Sequence, residues 1–278
     1  MKKIFLAIML LGAITGQSQK IKNNLAFEKG KKLEMTITVS SNVTSMGNTT
    51  IEAVIERSFD VEDLVNGNAV IEHKIKRIRF SMESMMGAES FDSENEDDRK
   101  GEIGKAMEKT LKNKYTMTLD ATGKVIDIKK DDDNKTSAKD LNEEMIANIL
   151  SQVGEGLQTP EVGESSDFKI LPDRELTKGE AWTDSTTDRK TTYTVEDITA
   201  TDIIISFVEE KKVEKKQEMM GNVLTIVSVE NSTGTITLDI KSGLLKEKSA
   251  TTDSTGTIDV MGNTMPVISN TTKKWTVR

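Results

Sequence analysis

Apolar and polar residues alternate along most of the chain. Between Leu33 and Val39, and again between Ile51 and Val61, the apolar side chains occupy odd positions, and Met46-Gly47-Asn48 separates the two runs. Alternation with a period of two is typical of a β-strand that buries one face, and a short turn joins antiparallel neighbours. The two runs therefore predict a long β-hairpin.

The next run begins after Asn66-Gly67 and changes phase along its length. Its first apolar residues, such as Ile71, lie at odd positions, and its last ones, such as Ile78, lie at even positions. A β-bulge near Arg77, or a change of pairing partner there, would produce this shift. Further alternating runs continue to Val277, so the pattern predicts at least ten strands.

Two segments have a helical period instead. Within residues 101–113, Ile103, Met107 and Leu111 recur at every fourth position. Residues 137–154 carry a wider apolar stripe, with capping-box spacing at the start and Gly154 at the end. Such stripes are typical of amphipathic helices that cover a core with one face.

The chain contains an internal similarity. A shift of 134 positions aligns residues 59–93 with 193–227 without a gap, and seven of the 35 pairs are identical, against about two expected from ordinary composition. The shift is even, so each half presents the same set of side chains to the same face of its sheet.

These patterns predict a mainly β fold of antiparallel curved sheets, as a half-barrel, barrel or sandwich, in two related halves with a short helical insertion. The loop after Gly154 is rich in Gly, Glu, Ser and Pro, which favours a boundary there. The expected segments are a signal peptide (1–18), a first β-rich half (19–130), a helix and linker (131–167) and a second β-rich half (168–278).

The first residues indicate the compartment. Lys2 and Lys3 precede an apolar run from Ile4 to Thr15, which is typical of a secretory signal peptide and too short to span a bilayer core of about 30 Å. We expect the mature chain to begin near Gln19 and to be a periplasmic or extracellular monomer without a membrane span. The sequence has no cysteine for lipid attachment.

Composition narrows the range of partners. The net charge of −8 disfavours nucleic acid and anionic lipid surfaces. Aromatic residues make up only 4% of the sequence, whereas methionine occurs 14 times. Methionine fills irregular gaps, so we expect a core of Met, Ile and Val.

The residues that usually perform catalysis are scarce. His73 is the only histidine, and without cysteine the chain lacks the usual ligands of zinc and the usual nucleophile–base pairs. His73 lies on the apolar phase of its strand, so a core position is expected. The acidic runs 94–98 and 131–134 lack the spacing of a calcium loop. We therefore expect no enzymatic activity and no cofactor.

Several short elements occur in a recognisable order. They are Phe91-Asp92-Ser93 after a Met-Met-Gly turn, Leu171-Pro172-Asp173, and Gly179-Glu180-Ala181-Trp182. In these elements the chain resembles a family of uncharacterised secreted bacterial proteins, defined only as a domain of unknown function. The resemblance implies secretion and a strand-rich fold without an established activity. We expect Trp182 and Trp275 to anchor the core, with a binding role as the alternative.

Two functional hypotheses remain. In the first, a curved sheet forms a cavity that binds an apolar ligand or lipid without catalysis. In the second, the protein is a structural or protein-interaction module of the cell envelope, which uses acidic loops or a strand edge. The candidate ligand-binding residues of the first hypothesis are Met35, Ile37, Met117, Met145, Ile149 and Phe207.

Overall fold

A computed structural model describes residues 19–45, 47–85, 87–130, 157, 159–219, 222–260 and 262–278. The strands in these residues are β1 (Lys32–Thr44), β2 (Asn48–Val65), β3 (Asn68–Ser84), β4 (Gly87–Asp92), β5 (Lys114–Leu119), β6 (Val125–Lys130), β7 (Ala181–Ser185), β8 (Arg189–Ile198), β9 (Asp202–Met219), β10 (Asn222–Asp239), β11 (Leu245–Val260) and β12 (Asn263–Val277). The helices are α1 (Glu96–Lys100) and α2 (Glu102–Leu111).

Three predictions fall outside the described residues. They are the signal peptide at 1–18, the helix at 137–154, and the candidate ligand contacts Met145 and Ile149. The predicted helix at 101–113 is confirmed by α2.

All twelve strands belong to one antiparallel sheet. Its order is β6-β5-β3-β2-β1-β12-β11-β10-β9-β8-β7, and β4 pairs with β3 beside this path. The mainly antiparallel β fold is confirmed. In the sheet, β12 lies between two five-strand meanders, which we call the first meander (β1, β2, β3, β5, β6) and the second meander (β7 to β11).

The phase change in β3 has two structural causes. Glu56 pairs with Arg77 and Arg57 pairs with Ile75, so Lys76 is the extra residue of a bulge. The first part of β3 pairs with β5, and the last part pairs with β4. Both predicted explanations for the phase change are therefore present.

The sheet is curled, and its lower end, which holds the β5–β6 and β10–β11 turns, is drawn together by residues 19–31. The Leu25 amide donates to the Ala121 carbonyl at 3.0 Å, and the Ala26 amide donates to the Ser242 carbonyl at 2.8 Å. These carbonyls lie in the two turns, and β5 and β11 are five spacings apart in the sheet order, which is about 24 Å in a flat sheet. Two adjacent residues reach both turns because the sheet bends back on itself.

The sheet does not close on itself, because β6 and β7 form its two edges. Among the predicted forms, the half-barrel describes this open, curled sheet.

The core lies on the concave face. The odd-numbered apolar residues of β1 and β2 are buried there, and they continue across β3, β5 and β9. Residues 159–180 cross this face at the lower end, where the Phe168 ring meets the rings of Phe27 and Phe59 edge-on at 5.5 and 5.0 Å. Met107 of α2 is fully buried in the same core.

The two meanders share local irregularities. The ladder shifts register after Val61 in the first meander and after Val195 in the second. It shifts again just before Leu119 and just before Leu238. The sequence alignment pairs Val61 with Val195, at a shift of 134. The boundaries of the two predicted halves stay a prediction, since one sheet runs through both.

Candidate ligand site on the concave face

Aromatic side chains converge on the concave face of the second meander. Trp182 on β7 stacks on Tyr193 on β8, with ring centroids 4.9 Å apart and planes 13° from parallel. Tyr193 approaches Phe207 on β9 at 6.1 Å. Trp275 lies across the curl on β12. Side-chain alternation places these rings on the same face, and the curl brings Trp182 and Trp275 to one cavity.

This cavity, which we call the groove, has a volume of about 580 Å³. Its lining comes from strands β7, β8, β11 and β12, from β1 and β2, and from residues 165–173. The lining includes Met35, Arg57, Leu171, Trp182, Tyr193, Leu245, Lys248 and Trp275. The volume lies within the range of about 300–1,000 Å³ that is typical of small-molecule pockets.

A smaller compartment of about 120 Å³ adjoins the groove. The two share Arg189, Tyr193, Lys248 and Trp275 in their linings. The compartment also has hydroxyl and charged side chains, namely Thr191, Glu209, Ser232, Thr252 and Lys273. One site therefore combines an aromatic body with a polar end.

The cations of the compartment differ in their partners. Arg189 lies 3.9 Å from an Asp184 oxygen and 4.0 Å from a Glu209 oxygen. Lys248 instead lies over rings, with its Nζ 4.6 Å from the Trp275 centroid and 5.4 Å from that of Phe207. Within the described part of the chain, Lys248 and Lys273 form no ion pair with a carboxylate.

A buried polar cluster forms the wall of the groove next to β2. The Arg57 side chain is only 2% exposed, and its Nη1 donates to Asp167 Oδ2 at 2.7 Å. Its Nε donates to His73 Nε2 at 3.0 Å. Arg57 therefore fixes residues 165–173 against the sheet and orients the His73 ring, which stacks on Tyr115 at 4.4 Å.

The cluster shifts two titrations. Burial, with the adjacent Arg57 charge, lowers the pKa of His73 to about 3. Burial also raises the pKa of Tyr115 to about 12. Both side chains are therefore neutral near pH 7, and Arg57 and Asp167 carry the charges of the cluster.

The structure separates the predicted ligand-binding residues. Met35 lines the groove and Phe207 lines the smaller compartment. Ile37 and Met117 are buried in the core of the first meander, outside both linings.

Sequence reasoning did not identify Arg57, Lys248 or Lys273 as site residues. Arg57 had a detectable signal, because it occupies an odd position in an otherwise apolar run. The two lysines had none, since alternation alone does not show which polar face turns inward.

A second depression, also of about 580 Å³, includes side chains of the opposite face. Thr38, Glu52 and Arg79 are exposed there. Phe80 and Phe91 also line this depression but are at most 3% exposed, whereas Trp182 and Tyr193 of the groove are partly exposed, so the groove offers an apolar ligand more ring surface.

The described residues contain no cluster of three or more His, Cys, Asp or Glu side chains suited to a metal ion. They also contain no helix that is long and apolar enough to cross a bilayer.

A model of a family of unknown function (DUF6263) matches residues 66–245. The chain belongs to this family. The DUF6263 match extends from the β2–β3 turn to the start of β11, so it includes Trp182, Tyr193 and Phe207 but not Lys248, Lys273 or Trp275. No curated protein sequence matches the chain.

Two solved structures show how far the similarity of this DUF6263 protein extends. One is lipovitellin, from work on lipid–protein interactions, with 12% identity and a TM-score of 0.47 over 91% of this chain. The chain spans 25% of that lipovitellin chain. The other is an outer membrane channel from Pseudomonas putida F1, with 8% identity and a TM-score of 0.28, over 92% of this chain and 98% of the channel.

Proposed function

We propose that this protein is a secreted, non-enzymatic binding protein of the periplasm or cell exterior that holds an apolar or amphipathic ligand in the groove. The observation that carries the proposal is the convergence of both tryptophans of the sequence on one open cavity. Aromatic residues are few in this chain, so their concentration at a cavity, with Met35 and Leu171 beside them, supports ligand contact.

The groove supports binding more than catalysis. The His73 ring is buried, and its Nε2 accepts from Arg57, so it offers no base to a bound molecule. Arg57 and Asp167 neutralise each other in the wall. The lining also has rings, Met35 and the aliphatic side chains of Leu171 and Leu245, which suit an apolar chain, beside polar residues such as Lys169, Asp173 and Asp184.

Tryptophan fluorescence tests the proposal directly. The sequence has two tryptophans, and both line the groove. Bromine quenches tryptophan only near contact distance, so ω-bromododecanol should quench the emission of the mature chain in a saturable way. Unbrominated dodecanol is the matched control, and it should compete for the site without quenching.

The variants Trp182→Phe and Trp275→Phe assign the signal. Each leaves one emitting ring, so saturable quenching of both variants would place the ligand between β7 and β12. Unquenched emission from folded protein up to the solubility limit of the probe would contradict the proposal.

A second candidate function uses a strand edge. β7 lies at one edge of the sheet, and its residues Ala181 and Asp184 are exposed. Such an edge can pair with a strand of an envelope partner. This candidate predicts a stable complex in which β7 amides become protected from hydrogen exchange while tryptophan emission stays unquenched by the bromo-alcohol.

A further inference from the structure

The smaller compartment beside the groove has an excess of positive charge. Its lining contains Arg189, Lys248 and Lys273 but only one carboxylate, that of Glu209. Arg189 already lies near Glu209 and Asp184. The sequence as a whole carries a net charge of −8, so a local excess of cations is opposite to the general character of the molecule.

Lys248 and Lys273 lie on neighbouring strands and face the same compartment. Lys248 pairs with Trp275 across the ladder, and Lys273 pairs with Ala250. Both side chains are partly buried, which strengthens their attraction for an anion compared with fully solvated lysines. The rings of Trp275 and Phe207 hold the Lys248 ammonium without neutralising it.

Hydroxyl groups complete the compartment. The hydroxyls of Ser232 and Thr252 share a hydrogen bond of 2.9 Å. The hydroxyl that accepts in this pair keeps its own proton, which it can donate to a ligand. Thr191 donates to Glu209 at 2.6 Å, which occupies part of the acceptor capacity of that carboxylate. The compartment therefore offers cations and a hydroxyl donor to oxygen atoms of a ligand.

The aromatic groove continues directly from this compartment. The shared lining of Tyr193, Lys248 and Trp275 leaves the polar end and the apolar body of the site connected. We propose that the ligand is an anionic amphiphile, whose carboxylate or phosphate group binds Lys248 and Lys273 while its apolar body occupies the groove. This inference rests on the proposed function and adds the chemical class of the ligand.

Two bromine-tailed probes of equal chain length test the charge requirement. ω-Bromododecanoic acid is anionic at neutral pH, and ω-bromododecanol is neutral. We expect the acid to bind with at least about tenfold higher affinity, measured from the saturable change of tryptophan emission, and we expect this difference to shrink as salt is added because salt screens the lysines. Inorganic phosphate and acetate serve as head groups without a tail, and they should compete with the acid only weakly.

Lysine variants assign the effect to the compartment. Lys248→Gln and Lys273→Gln should each weaken binding of the acid several-fold and leave binding of the alcohol unchanged. Lys274→Gln is the matched control, because Lys274 follows Lys273 on β12, faces the opposite side and pairs with Glu247 at 3.1 Å. It removes the same charge from the same strand and should leave binding of both probes unchanged.

The outcomes separate the two proposals. Absence of quenching by both probes would overturn the ligand-binding function together with this inference. Equal affinity for acid and alcohol, or an equal loss of both in the lysine variants, would overturn only the anionic ligand. Tight binding of phosphate alone would also overturn it, since the site would then be an ion site without a role for the groove.

Discussion

His73 is buried beside a permanent positive charge, and this position determines how it titrates. Arg57 donates to its Nε2, so the neutral imidazole is the form that fits. Its Nδ1 has no hydrogen-bond partner among the described atoms. Burial disfavours the charged imidazolium, and protonation would also place it in contact with the Arg57 cation, so the pKa of His73 falls to about 3.

A single-histidine titration tests this arrangement. His73 is the only histidine, so the imidazole resonances of the folded protein should show no midpoint near the ordinary pKa of 6.5 and should titrate near 3. The unfolded chain binds the proton near pH 6.5, so this contribution to stability is complete above that pH and is lost as pH falls toward 3. Denaturant unfolding at a series of pH values measures the loss.

The variant His73→Gln is the control for that titration. It removes the titrating group, so the part of the acid destabilisation due to His73 should disappear, whatever the variant does to stability at neutral pH. A histidine resonance that titrates near pH 6.5 in the folded chain would refute the buried Arg57–His73 contact.

Individual strands show how the backbone shapes the site. Gly234 on β10 lies opposite Phe207 on β9. A Cβ at position 234 would lie 2.6 Å from the Phe207 ring and would also collide with the Ser249 carbonyl oxygen. The absent side chain therefore leaves room for the Phe207 ring against β10, in the lining of the smaller compartment.

Replacing this glycine should disturb both stability and binding. We expect Gly234→Ala to lower the free energy of unfolding by about 1–3 kcal/mol, because the ring must move in a packed region. The displaced Phe207 ring should also weaken binding of the bromine-tailed acid. Unfolding in urea and tryptophan quenching measure the two effects separately.

Gly256→Ala is the matched substitution on β11. A Cβ there would collide with the Val227 carbonyl oxygen and the Ser228 side chain, and Gly256 lies four residues beyond Thr252 of the compartment lining. It should lower stability in a similar way without changing the affinity of the folded fraction. Equal losses of affinity in both variants would count against a role for Phe207.

The sequence predicted the strands well because alternation reports local burial. It predicted both causes of the phase change in β3, and it placed Met35 and Phe207 among the candidate ligand contacts. It could not place Lys248 and Lys273, since both occur in strands where polar residues fill both faces. Nor could it predict that Trp182 and Trp275 line the same cavity, because their proximity depends on the order and curl of strands that are distant in sequence.

At the scale of the molecule, residues 19–31 act as a strap across the lower end of the sheet. Leu25 is 7% exposed, and its side chain lies close to Gly123 of the β5–β6 turn and Gly243 of the β10–β11 turn. Asn23 adds hydrogen bonds to the Thr122 carbonyl and the Asp173 carboxylate at 2.9 and 3.1 Å. A segment outside the sheet therefore connects two turns that are far apart in the strand order.

Removing the apolar contact of the strap should destabilise the protein. We expect Leu25→Ala to lower the free energy of unfolding by about 2–4 kcal/mol, as for other buried leucines. Leu64→Ala is the control, because Leu64 on β2 is 44% exposed and its loss should change stability by less than about 1 kcal/mol. Thermal and urea unfolding of the two variants and of the unchanged protein measure both values, and equal effects would argue against the strap.

The central position of β12 has a consequence for the order of assembly. In sequence, β12 follows all the other strands described here, yet it pairs with β1, the first of them, for example through Met35 of β1 and Val277 of β12. Until residues 263–277 have left the ribosome, the two meanders have no shared hydrogen-bond ladder, and the pairing they await spans nearly the whole chain. Contacts of such long sequence separation form slowly, so we expect the joining of the two meanders through β12 to be the slow step of folding.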